Sequence, residues 1–284
     1  MLASLVSSVD CPSPAWKDSA AVVNNSKGFN MKLLDLALHK IRASGRVLSN
    51  LRIVDQRKLC LLQEENHLRR VFAHCDVDCV FDIGANYGHY TSTLRHKVGF
   101  KGLIISFEPL PDAAKALRKK SARDPNWIIE ELAVSGSDGE QTFNIMNDSQ
   151  FSSLSTPRHD EADLFRYKNS VKKEILVKTE SLATAYHRLE QRFRFKAPFL
   201  KMDTQGFDVE IVSRASSIVR NFVGLQSELA IKKLYQDSVD FRQAISVYVG
   251  CGFEMSAFVL NNIGHFPWLV ETDCIMIRSD LMSP

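Results

Sequence analysis

The chain has 284 residues, 45% of them hydrophobic and 24% charged, with 36 Lys+Arg against 33 Asp+Glu for a formal net charge of +3. These proportions belong to an ordinary globular protein of one large or two small domains, and exclude a disordered or fibrous chain. No apolar run reaches the roughly 18 residues of a spanning helix, and so mild a charge does not by itself imply a nucleic-acid partner.

In chain order, residues 1–30 are rich in Ser, Asn, Ala and Pro and read as a loose leader. Its start, MLASLVSSVDCPSP, lacks the basic segment of a secretory signal. Residues 31–76 read as an N-terminal helical extension. Leu33, Leu34, Ala37, Leu38 and Ile41 recur at three and four, as do Leu59, Leu62, Leu68, Val71 and Phe72, with Gly45 between the two stretches. Residues 77–284 then form one α/β domain. CVFDIG is a short buried strand, YGHYTSTLRHKVG a helix, GLIISFEP a second strand, and PDAAKALRKKSA a helix with Pro111 in its first turn. WIIEELAVS reads as a third strand, and a Gly-rich turn leads to a short alternating strand. Residues 148–173 read as a long polar loop. EILVKTE is a strand, SLATAYHRLEQRF a helix, APFLKMDTQG a fourth core strand and FVGLQSELA a fifth. A helix around Asp237–Val249 and strands near Phe253–Leu260 and Thr272–Arg278 complete the pattern. Strands alternating with helices in this way predict a mostly parallel sheet with right-handed crossovers.

The six cysteines form no C-x-x-C pair, and several sit within apolar runs. They read as reduced thiols of a cytoplasmic protein. Cys75 and Cys79 have no partner pair at zinc spacing, and no metal is expected.

Asp82-Ile83-Gly84-Ala85-Asn86-Tyr87-Gly88 stands at a strand-to-helix junction, where glycines let a cofactor approach the backbone. It is G-x-x-x-G and lacks the G-x-G-x-x-G of a dinucleotide fold, which disfavours a nicotinamide oxidoreductase. An acid ending the strand suits a cationic ligand, and S-adenosylmethionine carries both a sulfonium and an ammonium. Glu108, 20 residues beyond Gly88 at the end of the second strand, is placed to accept ribose hydroxyls.

With these pieces in order, the sequence resembles the FkbM family of S-adenosylmethionine-dependent methyltransferases. The resemblance is carried by FDIGANYG, SFEPLP, ELAVSGSDGE, FLKMDTQGFDVEIV, LQSELA and ETDCIMIR, over about residues 78–279. It implies a class I, Rossmann-like sheet of seven mostly parallel strands with a reversed last strand and helices on both faces. It also implies O-methylation of a sugar, glycan or small-metabolite hydroxyl. Asp82, Gly84, Asn86 and Gly88, with Tyr87 among them, would border the cofactor's methionine half, Glu108 its ribose, and Ala133 and Val134, ending the third strand, its adenine. Ala183 and Gln205 depart from the Asp and Glu common in relatives.

Methyl transfer to a hydroxyl needs in-line alignment and removal of a proton. Asp203, ending the fourth strand, is the first candidate for that proton and Glu228 the second. Gln205 and His265, the latter in the turn-rich NNIGHFPW, are the expected acceptor contacts. Residues 157–196 carry ten Lys/Arg against six Asp/Glu. With Phe151, Phe165 and Tyr167 nearby they suggest a lid for a sugar or anionic acceptor. Methylation of nucleic acid or protein is the alternative, weakened by MDTQGF where amino-directed enzymes carry an N-P-P-Y-type segment. A non-catalytic S-adenosylmethionine-binding subunit is the other alternative.

Overall fold

The computed structural model describes residues 59–160, 165–236, 238–260 and 267–282. The expected leader and the first half of the helical extension lie outside them, as does His265. Strand β1 (Cys79–Ile83) is buried along its whole length, as its unbroken apolar run requires of a parallel strand covered on both faces. It pairs in parallel with β2 (Leu103–Phe107) on one side and β7 (Pro198–Met202) on the other. β3 (Trp127–Glu130) continues beyond β2, and β8 (Gly224–Ala230) beyond β7, both parallel. β10 (Glu271–Arg278) inserts antiparallel between β8 and β9 (Phe253–Val259). The resulting order, β3-β2-β1-β7-β8-β10-β9, is the seven-stranded, mostly parallel sheet with a reversed last strand expected above.

A second sheet holds β4 (Ala133–Ser135), β5 (Gly139–Met146) and β6 (Val171–Ser181) in the order β4-β6-β5. Its existence corrects the reading of WIIEELAVS as one strand. β3 is a half-exposed edge strand, and after Glu130 the chain leaves the large sheet to pair β4 in parallel with β6. The polar stretch expected as a loop over 148–173 also ends earlier, because β6 begins at Val171 and pairs with β5 over eight positions.

Helices cover both faces of the large sheet. α1 (Leu59–His74) and α2 (His89–Thr93), which continues into a π-helical turn at Leu94–Val98, lie on one face. There Leu68, Val71 and Phe72 of α1 meet Val80, Phe100, Phe199 and Ile275, so α1 packs on the sheet itself. Burying side chains of this size stabilises by about 2 kcal/mol each. α3 (Pro111–Ser121) begins with proline in its first turn. On the other face α4 (Leu182–Phe193), α5 (Asp208–Arg214), α6 (Ser216–Val219) and α7 (Phe241–Gly250) enclose Phe81, Ile83, Ile105, Leu200 and Leu225. Ser181 caps α4, accepting the Thr184 N–H, and Asp240 caps α7, accepting from Arg242 and Gln243. Cys75, Cys79, Cys251 and Cys274 are free and buried, and burial pushes each thiol above its usual range. Among the described residues no helix is long and apolar enough to cross a membrane.

Candidate active site

β1, β2, β7 and β8 all end at one edge of the sheet, where their carboxyl ends hand over to loops. A cavity of about 500 Å³ opens there. Sheet ligands bind at this edge because strand ends and helix N-termini converge on it. Gly84, immediately after β1, has φ +76, and a Cβ at this position would run into the Asp203 carbonyl. Only glycine lets the β1–α2 turn pass so close to the end of β7. Ile83, Gly84, Ala85 and Asn86 line the cavity. Asn86 Oδ1 is buried and has no hydrogen-bond partner among the described residues.

Glu108 lies just past β2, 4% exposed. Its two oxygens accept the backbone N–H groups of Asn86 (2.7 Å) and Leu110 (2.8 Å). Burial outweighs these bonds and raises its pKa to about 7. Each oxygen keeps a further lone pair. Ala133 and Val134 line the same end of the cavity from β4, with Leu110 and Phe143 beside them.

A row of polar side chains crosses the sheet beneath the cavity floor. Trp127 Nε1 donates to Ser106 Oγ (2.9 Å), and Ser106 and Thr91 hydroxyls donate to Asp82 Oδ2 (3.2 and 3.1 Å). The Lys201 ammonium lies 3.6 Å from Asp82 Oδ1 and 3.4 Å from Asp203 Oδ2, over the Tyr90 ring. Burial alone would lower the pKa of Lys201, but Asp203 and Asp82 more than offset it and hold the ammonium above its usual range. Asp82 therefore stands behind the cavity wall rather than in it. Tyr87, 41% exposed, and the buried Gly88 also lie outside the cavity lining.

Two glutamine amides organise the acidic end. Gln205 Nε2 donates to Asp203 Oδ1 (2.7 Å) and Glu228 Oε2 (2.9 Å), while its Oε1 faces the Tyr235 hydroxyl at 3.0 Å. Gln226 Nε2 donates to Glu64 Oε1 and Asp273 Oδ2, both at 2.8 Å, while its Oε1 accepts from Tyr90 (2.9 Å). The loop carrying Gln205 is fixed by Asp208, which accepts from Thr204 N–H (2.9 Å), Thr204 Oγ1 and Ser227 Oγ (2.7 Å). Burial raises the pKa of Glu64, puts Asp273 at about 7 and, with Asp203 and Asp273, puts Glu271 at about 8. Burial and the neighbouring Glu271 and Asp203 drive Glu228 well above the usual carboxylate range.

Of the residues singled out in the sequence, Gly84, Asn86, Glu108, Ala133, Val134, Asp203, Gln205 and Glu228 come together around one cavity. Gln205 lines it with its amide already engaged at both ends. The basic, aromatic lid expected over 157–196 is not found. No Lys or Arg of that segment lines the cavity, and Lys201 is the single Lys or Arg among the described lining residues. Phe151 and Phe165 pack on each other (5.4 Å), Tyr167 points to solvent, and the cavity wall is built from Ser149–Ser152 and Leu154.

Sequence reasoning missed Glu64, Tyr90, Gln226, Tyr235 and Glu271. Two signals were present. Glu64 stands four residues before Leu68, on the apolar face of its helix. The run Gln226-Ser227-Glu228 interrupts a central strand that is otherwise apolar, and a buried polar residue is more informative than an exposed apolar one.

A reversed seventh strand, a glycine turn after β1, an acid after β2 and paired carboxyl groups after β7 and on β8 define a class I methyltransferase. The methyltransferase FkbM domain profile matches residues 82–255, and the chain belongs to this S-adenosylmethionine-dependent family. No curated protein matches the sequence. Among solved structures, the magnesium protoporphyrin IX methyltransferase of Synechocystis PCC 6803 with bound S-adenosylmethionine overlays with TM-score 0.42 and 10% identity, over 90% of this chain and 100% of that one. Aeropyrum pernix fibrillarin, also with S-adenosylmethionine bound, gives TM-score 0.39 and 11% identity, over 70% of this chain and 66% of that one, just under two thirds. The fold assignment rests on the strand order and the family match.

Proposed function

We propose that the protein methylates a hydroxyl of a neutral sugar, glycan or small metabolite, with Asp203 taking the hydroxyl proton. The observation that supports this reading is the division of one cavity into a glycine-turn and Glu108 end, fit for the cofactor, and a carboxyl-rich end beyond Asp203. The donor set fits S-adenosylmethionine. The Gly84 turn lines the cavity with backbone, Asn86 Oδ1 is a buried acceptor with no partner among the described residues, and Asp203 on the same wall suits a cation. Gly84, Ala85 and Asn86 would hold the methionine half, Glu108 the ribose hydroxyls, and Ala133, Val134, Leu110 and Phe143 the adenine. Asp82 acts from behind the wall, through Lys201. When bound, the cofactor supplies a methyl group already activated on a sulfonium.

The chain's own residues then have separate tasks. Asp203, beside the Lys201 ammonium, accepts the proton of the acceptor hydroxyl. Glu228, its carboxyl raised by burial and by Glu271 and Asp203, is the second candidate for the proton and faces the acceptor beside Asp203. The Asp203–Glu228 amide clamp keeps both facing the cavity. Gln205 thereby acts on the acceptor through these two groups. His265 remains a proposed acceptor contact. Lys201, already paired with Asp82 and Asp203, is the single Lys or Arg among the described lining residues, so little is offered to a phosphate-bearing acceptor, which weighs against nucleic acid. Among the described residues no group of His, Cys, Asp and Glu is arranged to hold a metal ion, and proton removal by carboxylate is the simpler route. The proposed division is a leader over 1–30, a helical extension over 31–76 whose second half supplies Glu64, and a catalytic domain over 77–284. The free, buried cysteines support a cytoplasmic location.

Calorimetry with S-adenosylmethionine, S-adenosylhomocysteine and NAD tests the cofactor half. Both adenosyl ligands should bind and NAD should not. Glu108→Ala should weaken S-adenosylhomocysteine by about tenfold or more, the loss of charge-assisted hydrogen bonds to the ribose. Unchanged affinity would remove Glu108 from the site. Transfer of labelled methyl to neutral oligosaccharides, uronic-acid oligosaccharides and tRNA tests the acceptor. Label appearing only in tRNA would refute the hydroxyl-sugar reading.

A further inference from the structure

The Gln205 clamp is built more rigidly than a surface amide requires. Its backbone is left-handed at φ +55 in a non-glycine residue, and the Ser153 hydroxyl reaches the carbonyls of Thr204 and Gln205, each at 2.9 Å. Tyr235, 2% exposed, faces two acceptors, the Phe151 carbonyl at 2.9 Å and Gln205 Oε1 at 3.0 Å, and divides its one proton between them. Gly206, at φ +92, makes room for the ring, since a Cβ there would stand 2.9 Å from Tyr235 Cδ2. With Oε1 held by Tyr235, the amide N–H₂ must face Asp203 and Glu228. The reverse orientation would turn Oε1 onto two carboxyl groups and repel whichever is ionised.

We propose that Tyr235 is a positioning residue for methyl transfer. Acting through the Gln205 amide, it holds the Asp203 and Glu228 carboxyl groups in one orientation toward the acceptor and supplies each with a hydrogen-bond donor. The groups facing this pair are Lys201 on β7, Asp208 on α5, and Glu271 and Asp273 on β10. Lys201 stands 3.4 Å from Asp203 and the β10 carboxyl groups raise Glu228, so the amide links two carboxyl groups in different surroundings. The function of the tether, though not its geometry, rests on the reading of Asp203 as proton acceptor.

The test is a carboxyl-carbon NMR titration of the full chain, with S-adenosylhomocysteine binding and thermal unfolding measured on the same samples. Tyr235→Phe removes the hydroxyl and keeps the ring. Gln205→Asn keeps an amide in a residue that tolerates the left-handed region but is one methylene too short to reach both carboxyl groups. In both variants the Glu228 carboxyl carbon should titrate still higher, because its charged form loses the Gln205 hydrogen bond. S-adenosylhomocysteine affinity should stay within about twofold. Titrations that do not move in either variant, or that move only with loss of the folded state, overturn the proposal. An Asp203→Asn chain that still transfers methyl groups would instead overturn the assignment of the base and leave the titration result standing.

Discussion

Gln205 and Gln226 each offer an amide nitrogen to two carboxyl groups and an amide oxygen to a tyrosine hydroxyl, but the two arrangements draw on different parts of the chain. Asp203, Gln205, Glu228 and Tyr235 all fall within residues 82–255, the segment matched by the family profile. Glu64 and Asp273, which close the second arrangement, lie outside it, on α1 and β10. The first is also tied to a strained loop, whereas the second sits on regular helix and strand. The inner clamp holds Asp203, which we assign to proton removal. The outer clamp takes Glu64 from α1 and Asp273 from β10 and holds no proposed base, and we infer that it contacts the acceptor rather than takes its proton.

The largest effect expected from this contrast is at Asp203. Asp203→Asn should depress methyl transfer by roughly 10²–10⁴-fold, the usual contribution of a positioned base, with S-adenosylhomocysteine affinity nearly unchanged. An equal fall in both would move Asp203 to cofactor placement and break the distinction between the clamps. Glu64→Gln should raise the acceptor KM by about three- to tenfold, one hydrogen bond to a charged group at most, while cofactor affinity holds. A selective loss of cofactor affinity, measured by calorimetry, would place the outer clamp on the wrong ligand.

The smallest effect is on stability. Glu108 and Asp273 titrate near 7 and Glu271 near 8, all raised by burial above their unfolded values. Between about pH 4.5 and 8 the native chain therefore binds more protons than the unfolded one, and stability falls as pH rises through that window. Calorimetric unfolding should give a higher Tm at pH 5.5 than at pH 8. A flat profile over this range would mean that the cavity acids are as well solvated folded as unfolded.

The sheet was legible because its signals are local. CVFDI, LIISF and PFLKM are short apolar runs closed by Asp, Glu or Pro, and each forms a strand of the order expected. The cofactor end was legible for the same reason, since Gly84 and Glu108 end consecutive strands. The second sheet was not, because WIIE and AVS differ only in what lies beside them in space. Nor was the outer clamp, which brings together residues 64, 226 and 273 by packing of α1 on the sheet rather than by any spacing along the chain. The expected lid failed because a run of basic residues records only that a surface is solvated.

The Asp82–Lys201 pair, in the polar row beneath the cavity floor, also bears on how the chain finds its fold. In the observed register Asp82 lies opposite Lys201 on one side and Ser106 on the other, and Lys201 lies opposite Gln226. Sliding β1 by one residue against its neighbours would turn Asp82 to the face packed with Ile105, Leu200 and Leu225 and strand Lys201 without its partner. Breaking a buried pair in this way costs about 3–5 kcal/mol. The polar row thus distinguishes one alignment of four apolar strands from its near-equivalents, a selection that their Val, Ile, Leu and Phe side chains cannot make on their own.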